Sequence, residues 1–366
     1  MRLGINGRFY VAPATGVQRV AREISARLQG QANVTVFLPA SDVPPAGLPE
    51  GARVARGKLR GHLWEQVELP RSAARCDVVL HLVNTCPLAG RTNVVMIHDV
   101  LPLSNPEWFS RPYAFWHRTV MRRAVRTAAH LIVPSRWSAD QVVHLAGVEE
   151  TRVTVVAQGA APFDAPASEE VMRGVRARWD LPDRFLLTVG GGDPRKNVPF
   201  LYGVLDGLRD SLGELPLVVV GRESRVVHGT RAYESVIPDS VRVLGRVSDR
   251  ELHGLYTAAS LLLFPSLGEG FGRPPLEAGG CATPSVIAPY GPAEEVMGSG
   301  AAIVPLEQAA WTDTIRTLLG DQERREALAE RAFTVSRGYR WSDAARQVLE
   351  VCEAVASEAA EGSEAS

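Results

Sequence analysis

The chain has 366 residues, 45% hydrophobic and 22% charged, with a formal net charge of −1. That length is more than one core normally serves, and the composition excludes disordered, collagenous and disulfide-scaffold classes. No apolar run is long enough to span a bilayer, the N-terminus lacks the apolar stretch of a signal peptide, and Cys76, Cys86, Cys281 and Cys352 show neither metal-ligand nor disulfide spacing, so a cytoplasmic protein is expected.

In chain order, residues 2–7 read as a strand, 17–29 as a helix and 33–38 as a strand. Residues 77–83 and 93–98 are apolar strands, followed by a helix near 112–127 and a strand at 130–134. Such alternation predicts a parallel sheet covered by helices. Small residues and prolines at 158–168 predict a linker. A second alternating run follows, with strands at 185–189, 215–221, 241–245, 260–265, 285–288 and 301–305. The tail from Trp311 is helical with a break at 338–341, and its small, acidic end from Glu358 is expected to be disordered. Domains are expected at 1–165 and 166–340, with 341–366 as a final helix. Residues 1–160 carry 19 Lys and Arg against 11 Asp and Glu, so the first domain is expected to meet an anionic partner or surface.

Residues 264–288, FPSLGEGFGRPPLEAGGCATPSVIA, run from a buried strand through a glycine-broken loop into a helix opened by Pro274 and Pro275. Glu269 falls in the loop and Glu277 is expected in the first helical turn. Paired carboxylates at strand ends suit a ligand rich in hydroxyls, and Gly270 and Gly272 let backbone N–H groups approach an anion. A turn with two solvated acids has the same spacing. Residues 189–197, VGGGDPRKN, follow a strand and are expected to open a helix. Gly191 and Gly192 permit close backbone approach, while Arg195 and Lys196 crowd positive charge where an anion would relieve it. A tight turn with two solvated bases is the bland alternative.

His98-Asp99 ends an apolar strand, and Gly16 opens a helix that carries Arg19 and Arg22. Residues 4–7 lack the third glycine of a dinucleotide fingerprint. Trp108, Phe109, Tyr113, Phe115 and Trp116 stand among Arg111, Arg118, Arg122, Arg123 and Arg126. Three of these arginines recur every fourth residue, which fits either a solvated face or a stripe lying on an anionic membrane. Nucleic acid is not expected as a partner, since no binding module is present.

The 264–288 phrase resembles the donor-site signature of the retaining GT-B glycosyltransferases of glycosyltransferase family 4. The resemblance implies an α/β fold of two Rossmann-like doubly wound domains facing a central cleft, with the last helix crossing back to the first domain. It implies that Glu277 holds the ribose of a nucleotide sugar and that Glu269, Gly270, Phe271 and Gly272 lie about the donor. Asp193-Pro194-Arg195-Lys196-Asn197 is similar to the family's Glu-Pro-Arg-Lys-Asn segment, which implies that Arg195 and Lys196 bind the diphosphate. His98 would lie against the donor sugar, and Gly16 and Arg19 would face acceptor and phosphate. No Asp-x-Asp occurs, and a reaction without cofactor or divalent metal is expected. Ala282 and Arg273 depart from the family pattern. The expected activity is transfer of mannose or rhamnose to a saccharide acceptor, lipid-linked if the basic first domain serves it, by a cytoplasmic enzyme at the membrane face. A natural-product glycosyltransferase, a nucleotide-sugar epimerase, a non-catalytic sugar-nucleotide binder and a dehydrogenase stay open as alternatives.

Overall fold

The computed structural model describes residues 1–13, 15–29, 33–90, 92–160, 163–212, 215–221 and 237–364, with the backbone alone at 116, 210–212, 363 and 364. Ala14, the linker residues Ala161 and Pro162, the side chain of Trp116 and the last two residues of the acidic tail therefore lie outside the described residues. The chain divides into two compact units, Met1–Ser104 with Phe115–Gly159 and Arg340–Ser366, and Asn105–Ala114 with Ala160–Tyr339.

Among the described residues the first unit holds a seven-stranded sheet made of β1 (Arg2–Asn6), β2 (Asn33–Leu38), β3 (Val54–Arg56), β4 (Val78–His81), β5 (Asn93–Met96), β6 (His130–Val133) and β7 (Val153–Val155). All pairs are parallel and the order is β3-β2-β1-β4-β5-β6-β7. The edge strands β3 and β7 went unpredicted because three residues are too few to show a period. Helices α1 (Gly16–Leu28), α2 (Arg111–Thr127) and α3 (Arg136–Ala146) connect the strands. Ser135 caps α3 by accepting from Ser138 N–H at 3.1 Å, and Gly147 ends it at φ 66°. Val95, Ile97, Leu131 and Val133 pack with Met121, Val125 and Val142 in one buried cluster.

The second sheet, among the described residues, has six parallel strands: β8 (Leu186–Val189), β9 (Leu217–Val220), β10 (Val241–Gly245), β11 (Leu261–Phe264), β12 (Ser285–Ile287) and β13 (Ala302–Ile303), in the order β10-β9-β8-β11-β12-β13. Its helices include α4 (Glu169–Trp179), α5 (Phe200–Leu212), α6 (Asp249–Ala258), α7 (Arg273–Gly280), α8 (Gln308–Gly320) and α9 (Gln322–Arg337). Strand side chains alternate between two buried faces. Leu186, Leu217, Leu261 and Leu263 meet Val204, Leu208, Trp311 and Ile315 on one face. Leu187, Val218 and Leu262 meet Val175, Leu255, Tyr256 and Ala278 on the other.

The last helix, α10 (Trp341–Glu364), packs on α1 and against β4, β5 and β6 of the first unit. It continues past Glu358, where composition predicts disorder. The alanines that dilute the hydrophobicity there are also the strongest helix formers, and the helix is already nucleated by the buried stretch before them.

Candidate functional site

In an open parallel sheet, loops diverge where the strand order reverses, and ligands bind outside the carboxyl ends of the strands at that point. In the second unit the reversal falls between β8 and β11. Both motifs singled out from the sequence start there. After β8, Gly190 takes φ 118°, and a Cβ at that position would strike the Lys196 side chain. Asp193 then caps a single 3-10 turn, Pro194–Lys196, its Oδ1 accepting from the Arg195 N–H at 3.0 Å. This corrects the expectation that Arg195 and Lys196 open a helix. Asn197 at φ 51° ends the turn, and α5 begins only at Phe200.

Asp193 also fixes the Arg195 guanidinium, with Nη2 at 2.6 Å and Nε at 3.0 Å from Oδ2. The guanidinium lies 5.8 Å from the Phe109 ring centre. Lys196 Nζ donates to Glu269 Oε1 at 2.6 Å and sits 4.6 Å from the Phe264 ring centre. Ser266 Oγ reaches the same glutamate oxygen at 2.5 Å, and the Leu267 N–H donates to Arg195 O at 2.7 Å. The loops after β8 and β11 are thus tied through both main chain and side chains.

The second glutamate is held separately. Gly272, at φ 89°, precedes α7, and Pro274 and Pro275 fall in the first turn, where no N–H is needed. Glu277 is the fifth residue of α7, just past the first turn in which the sequence places it, because the helix starts at Arg273, one residue earlier than the prolines predict. Its Oε1 accepts from Arg273 Nη2 at 2.6 Å and its Oε2 from Tyr256 Oη at 2.9 Å. Burial, and then the charge of Glu277, push the Tyr256 phenol far above its usual range, so it stays a hydrogen-bond donor. Both glutamates are largely buried, at 9% and 5% exposure. Gly191, Gly192, Gly270 and Phe271 are buried in the same two loops. Phe271 meets Tyr339 edge-on at 5.6 Å. The arrangement offers carboxylates to hydroxyls and cations to an anion.

The sequence reading missed Ser266, Tyr256 and Tyr290. Tyr256 lies 21 residues before Glu277, with no local signal to connect them. Tyr290 stacks edge-on against Phe264 at 5.3 Å and its Oη faces Gly272, without a partner among the described residues.

The first unit reverses between β1 and β4. His98, just beyond β5, is 6% exposed, and its main-chain N–H donates to Asn84 Oδ1 at 2.7 Å. Its Nε2 lies 2.8 Å from the Leu82 carbonyl, an acceptor only, so Nε2 carries the proton. Nδ1 accepts from the Gln158 amide at 3.2 Å. Asn84 is in the left-handed region at φ 58°. Beside these loops, a π-helical turn, Trp64–Glu68, carries Glu65, which is wholly buried. Asn6 Nδ2 donates to it at 2.8 Å, Thr85 Oγ1 lies at 3.0 Å, His62 Nδ1 at 3.2 Å and Arg8 Nε at 3.7 Å. Burial pushes the Glu65 carboxyl up, but the bond from His62, the charges of Arg8 and His81 and the Asn6 amide outweigh it and hold it at about 2. No sequence motif pointed to this cluster, which chain topology assembles from β1, the π turn and the loop after β4.

Gly16 is the exposed first residue of α1, where a Cβ would meet nothing, and the Arg19 N–H bonds Thr15 O at 3.0 Å. Along α2, Arg122, Arg123 and Arg126 are exposed, and Phe115 is 75% exposed. Among the described residues no helix is long and apolar enough to cross a membrane.

Two known families match the chain in succession, Glycosyltransferase Family 4 over residues 14–161 and Glycosyl transferases group 1 over residues 175–335. The chain belongs to these glycosyltransferases and has the GT-B fold, as the sequence resemblance implied. It is 26% identical over 237 residues to the O-antigen chain mannosyltransferase RfbU of Salmonella typhimurium, an alignment covering 64% of this chain and 63% of that protein. It is 31% identical over 249 residues to the D-inositol 3-phosphate glycosyltransferase of Salinispora tropica, covering 63% and 52%. The matched region thus spans less than two thirds of either relative. Among solved structures, Anabaena HepE in complex with UDP and glucose superposes with a TM-score of 0.74 at 19% identity, over 96% of this chain and 98% of that one. WaaG, a glycosyltransferase involved in lipopolysaccharide biosynthesis, gives 0.72 at 18% identity, over 96% and 99%.

Proposed function

We propose that the chain is a retaining, metal-independent hexosyltransferase that moves a sugar from a nucleotide-diphosphate donor to a hydroxyl of a saccharide acceptor. The observation that carries this reading is that the strand-order reversal between β8 and β11 is followed by Arg195 and Lys196 in one loop, by Glu269, paired with Lys196, in the other, and by Glu277 in the helix after it. A nucleotide sugar has both chemistries that these groups recognise. Arg195 and Lys196 bind the diphosphate and take up the charge that develops on it as the glycosidic bond breaks, the part a metal plays elsewhere. Glu277 accepts from the ribose hydroxyls. Glu269, steadied by Lys196 and Ser266, lies beside the donor sugar. Retention then follows from attack on the same face through an oxocarbenium-like transition state. His98 positions the sugar and does not act as the base, because Nε2 donates to the Leu82 carbonyl and Nδ1, the basic nitrogen, accepts from the Gln158 amide. Gly16 and Arg19 serve the acceptor.

A mannose or rhamnose donor and a role in surface-polysaccharide synthesis are supported by the mannosyltransferase relatives. A lipid-linked acceptor, and a peripheral place at the cytoplasmic face of an anionic membrane, are supported by the exposed arginines around Phe115 on α2. The test is incubation with GDP-mannose, GDP-rhamnose or UDP-glucose and lipid-linked saccharides in EDTA, following the product's anomeric configuration. Retained configuration without metal is expected. An inverted product overturns retention, activity that returns only with Mg²⁺ or Mn²⁺ overturns metal independence, and epimerised donor with no transfer overturns the transferase reading.

A further inference from the structure

Arg273 stands at the first position of α7, where a cation opposes the helix dipole. Its side chain instead turns along the helix to Glu277, four residues on, with Nη2 2.6 Å from Oε1. Tyr256 Oη donates to the other oxygen at 2.9 Å. The side chains of the ion pair are only 11% and 7% exposed. A glutamate's terminal torsion is soft and nearly twofold, so an isolated carboxylate turns readily. Two donors arriving on different oxygens remove that freedom. A carboxylate oxygen can accept more than one hydrogen bond, so a carboxylate oriented this way presents a fixed plane to a vicinal diol.

We propose that Arg273 is a positioning residue that sets the plane of Glu277, and that it thereby makes the site select a ribonucleoside diphosphate over its 2′-deoxy counterpart. The inference rests on the reading of Glu277 as the group that holds the ribose. A hydrogen bond to a charged acceptor is worth roughly 10- to 100-fold in affinity, and that factor is available for discrimination only while the carboxylate stays in register with the diol.

The experiment is calorimetric titration of the full chain with GDP, UDP and ADP, each beside its 2′-deoxy counterpart. The variants are Arg273→Leu, Arg273→Lys, Glu277→Gln and the double variant Arg273→Leu/Glu277→Gln, the last leaving no unpaired buried charge. The chain is expected to prefer the ribose form of its base by about tenfold or more. Arg273→Leu should lose most of that preference by weakening the ribose form alone, Arg273→Lys should recover part of it, and the double variant should match Glu277→Gln. The preference is a ratio within one protein, so a general loss of stability does not imitate the result. Full preference in Arg273→Leu with none in Glu277→Gln overturns the role of Arg273 and leaves the ribose reading standing. Unchanged affinity and preference in Glu277→Gln, or no nucleotide binding by the unaltered chain, overturns both.

Discussion

Lys196 Nζ and Glu269 Oε1 are 2.6 Å apart, and both side chains are 12% exposed. At that depth each charge depends on the other, and removing one strands its partner at a cost of about 1–3 kcal/mol. Lys196→Met and Glu269→Gln should each lower stability by that amount, while the double variant recovers most of it. Denaturant titration of the cycle measures the coupling. Additive losses would show that the pair is not an energetic unit.

The two glutamates should separate kinetically. Glu269→Ala is expected to lower kcat by about 100-fold or more with nucleotide affinity nearly unchanged, since its interaction belongs to the reacting sugar. Glu277→Ala should instead weaken nucleoside diphosphate binding by roughly 10- to 100-fold. Steady-state kinetics and calorimetry on both variants check this, and matching profiles would sink the division of roles.

Acid stability should follow the buried histidines of the first unit. His81 accepts from Asn6 Nδ2 at 3.1 Å and, through Nε2, faces Asn93 Oδ1 at 3.1 Å, an arrangement that fits the neutral ring. Burial depresses it to about 4, and burial, followed by the charges of His62 and Arg8, brings His117 to about 4 as well. Their unfolded forms take up protons near the usual 6.5, so between pH 6.5 and 4 the unfolded chain binds more protons and stability falls as pH falls. Glu65, held at about 2, adds a further loss between its unfolded value near 4.5 and pH 2. His81→Gln should remove about 3 kcal/mol of the pH 6.5-to-4 dependence, read from urea midpoints across that range. An unchanged slope would mean that His81 is not a titrating element.

Tyr290 offers a substitution expected to stabilise. Its hydroxyl is buried without a partner among the described residues, and Tyr290→Phe should raise stability by about 1 kcal/mol. Gly272→Ala should cost about 1–3 kcal/mol, since it combines an unfavourable φ with a clash against that hydroxyl. Pairing it with Tyr290→Phe should restore only the part due to the hydroxyl, because ring carbons 2.5 and 2.6 Å from the new Cβ remain. Thermal melts of the three variants decide this, and full restoration would show that φ 89° carries no strain.

The end of α10 should be dispensable. Val355 is 5% exposed, and residues 357–362 are exposed. A stop after Ala356 should leave the melting temperature within about a degree, because no buried surface is lost. A stop before Trp341, which is 4% exposed and closes on Gly159, should unfold the first unit. Circular dichroism on both truncations tests the contrast.

Periodicity exposed the two parallel sheets because strands buried on both faces are written as short apolar runs. The loops after β8 and β11 were legible because their glycines, prolines and charged residues are contiguous in sequence. What these residues do to one another was not. Whether Glu277 faced a ligand or a neighbour depended on Arg273 and on Tyr256, the latter brought up by a different helix. Arg195 and Lys196 were expected at a helix start, yet Asn197 adopts a left-handed conformation that ends their turn first.

By itself, then, the sequence determined the fold class, the family and the short segments that carry charge and glycine. Those follow from local pattern, which acts over a few residues. Only the tertiary structure decided which carboxylate oxygen meets which cation, which nitrogen of His98 holds the proton, and that Glu65 is buried within reach of Arg8, His62, Asn6 and Thr85. Hydrogen bonds and ion pairs act only over a few ångströms, and strand order, not sequence distance, sets which groups come that close.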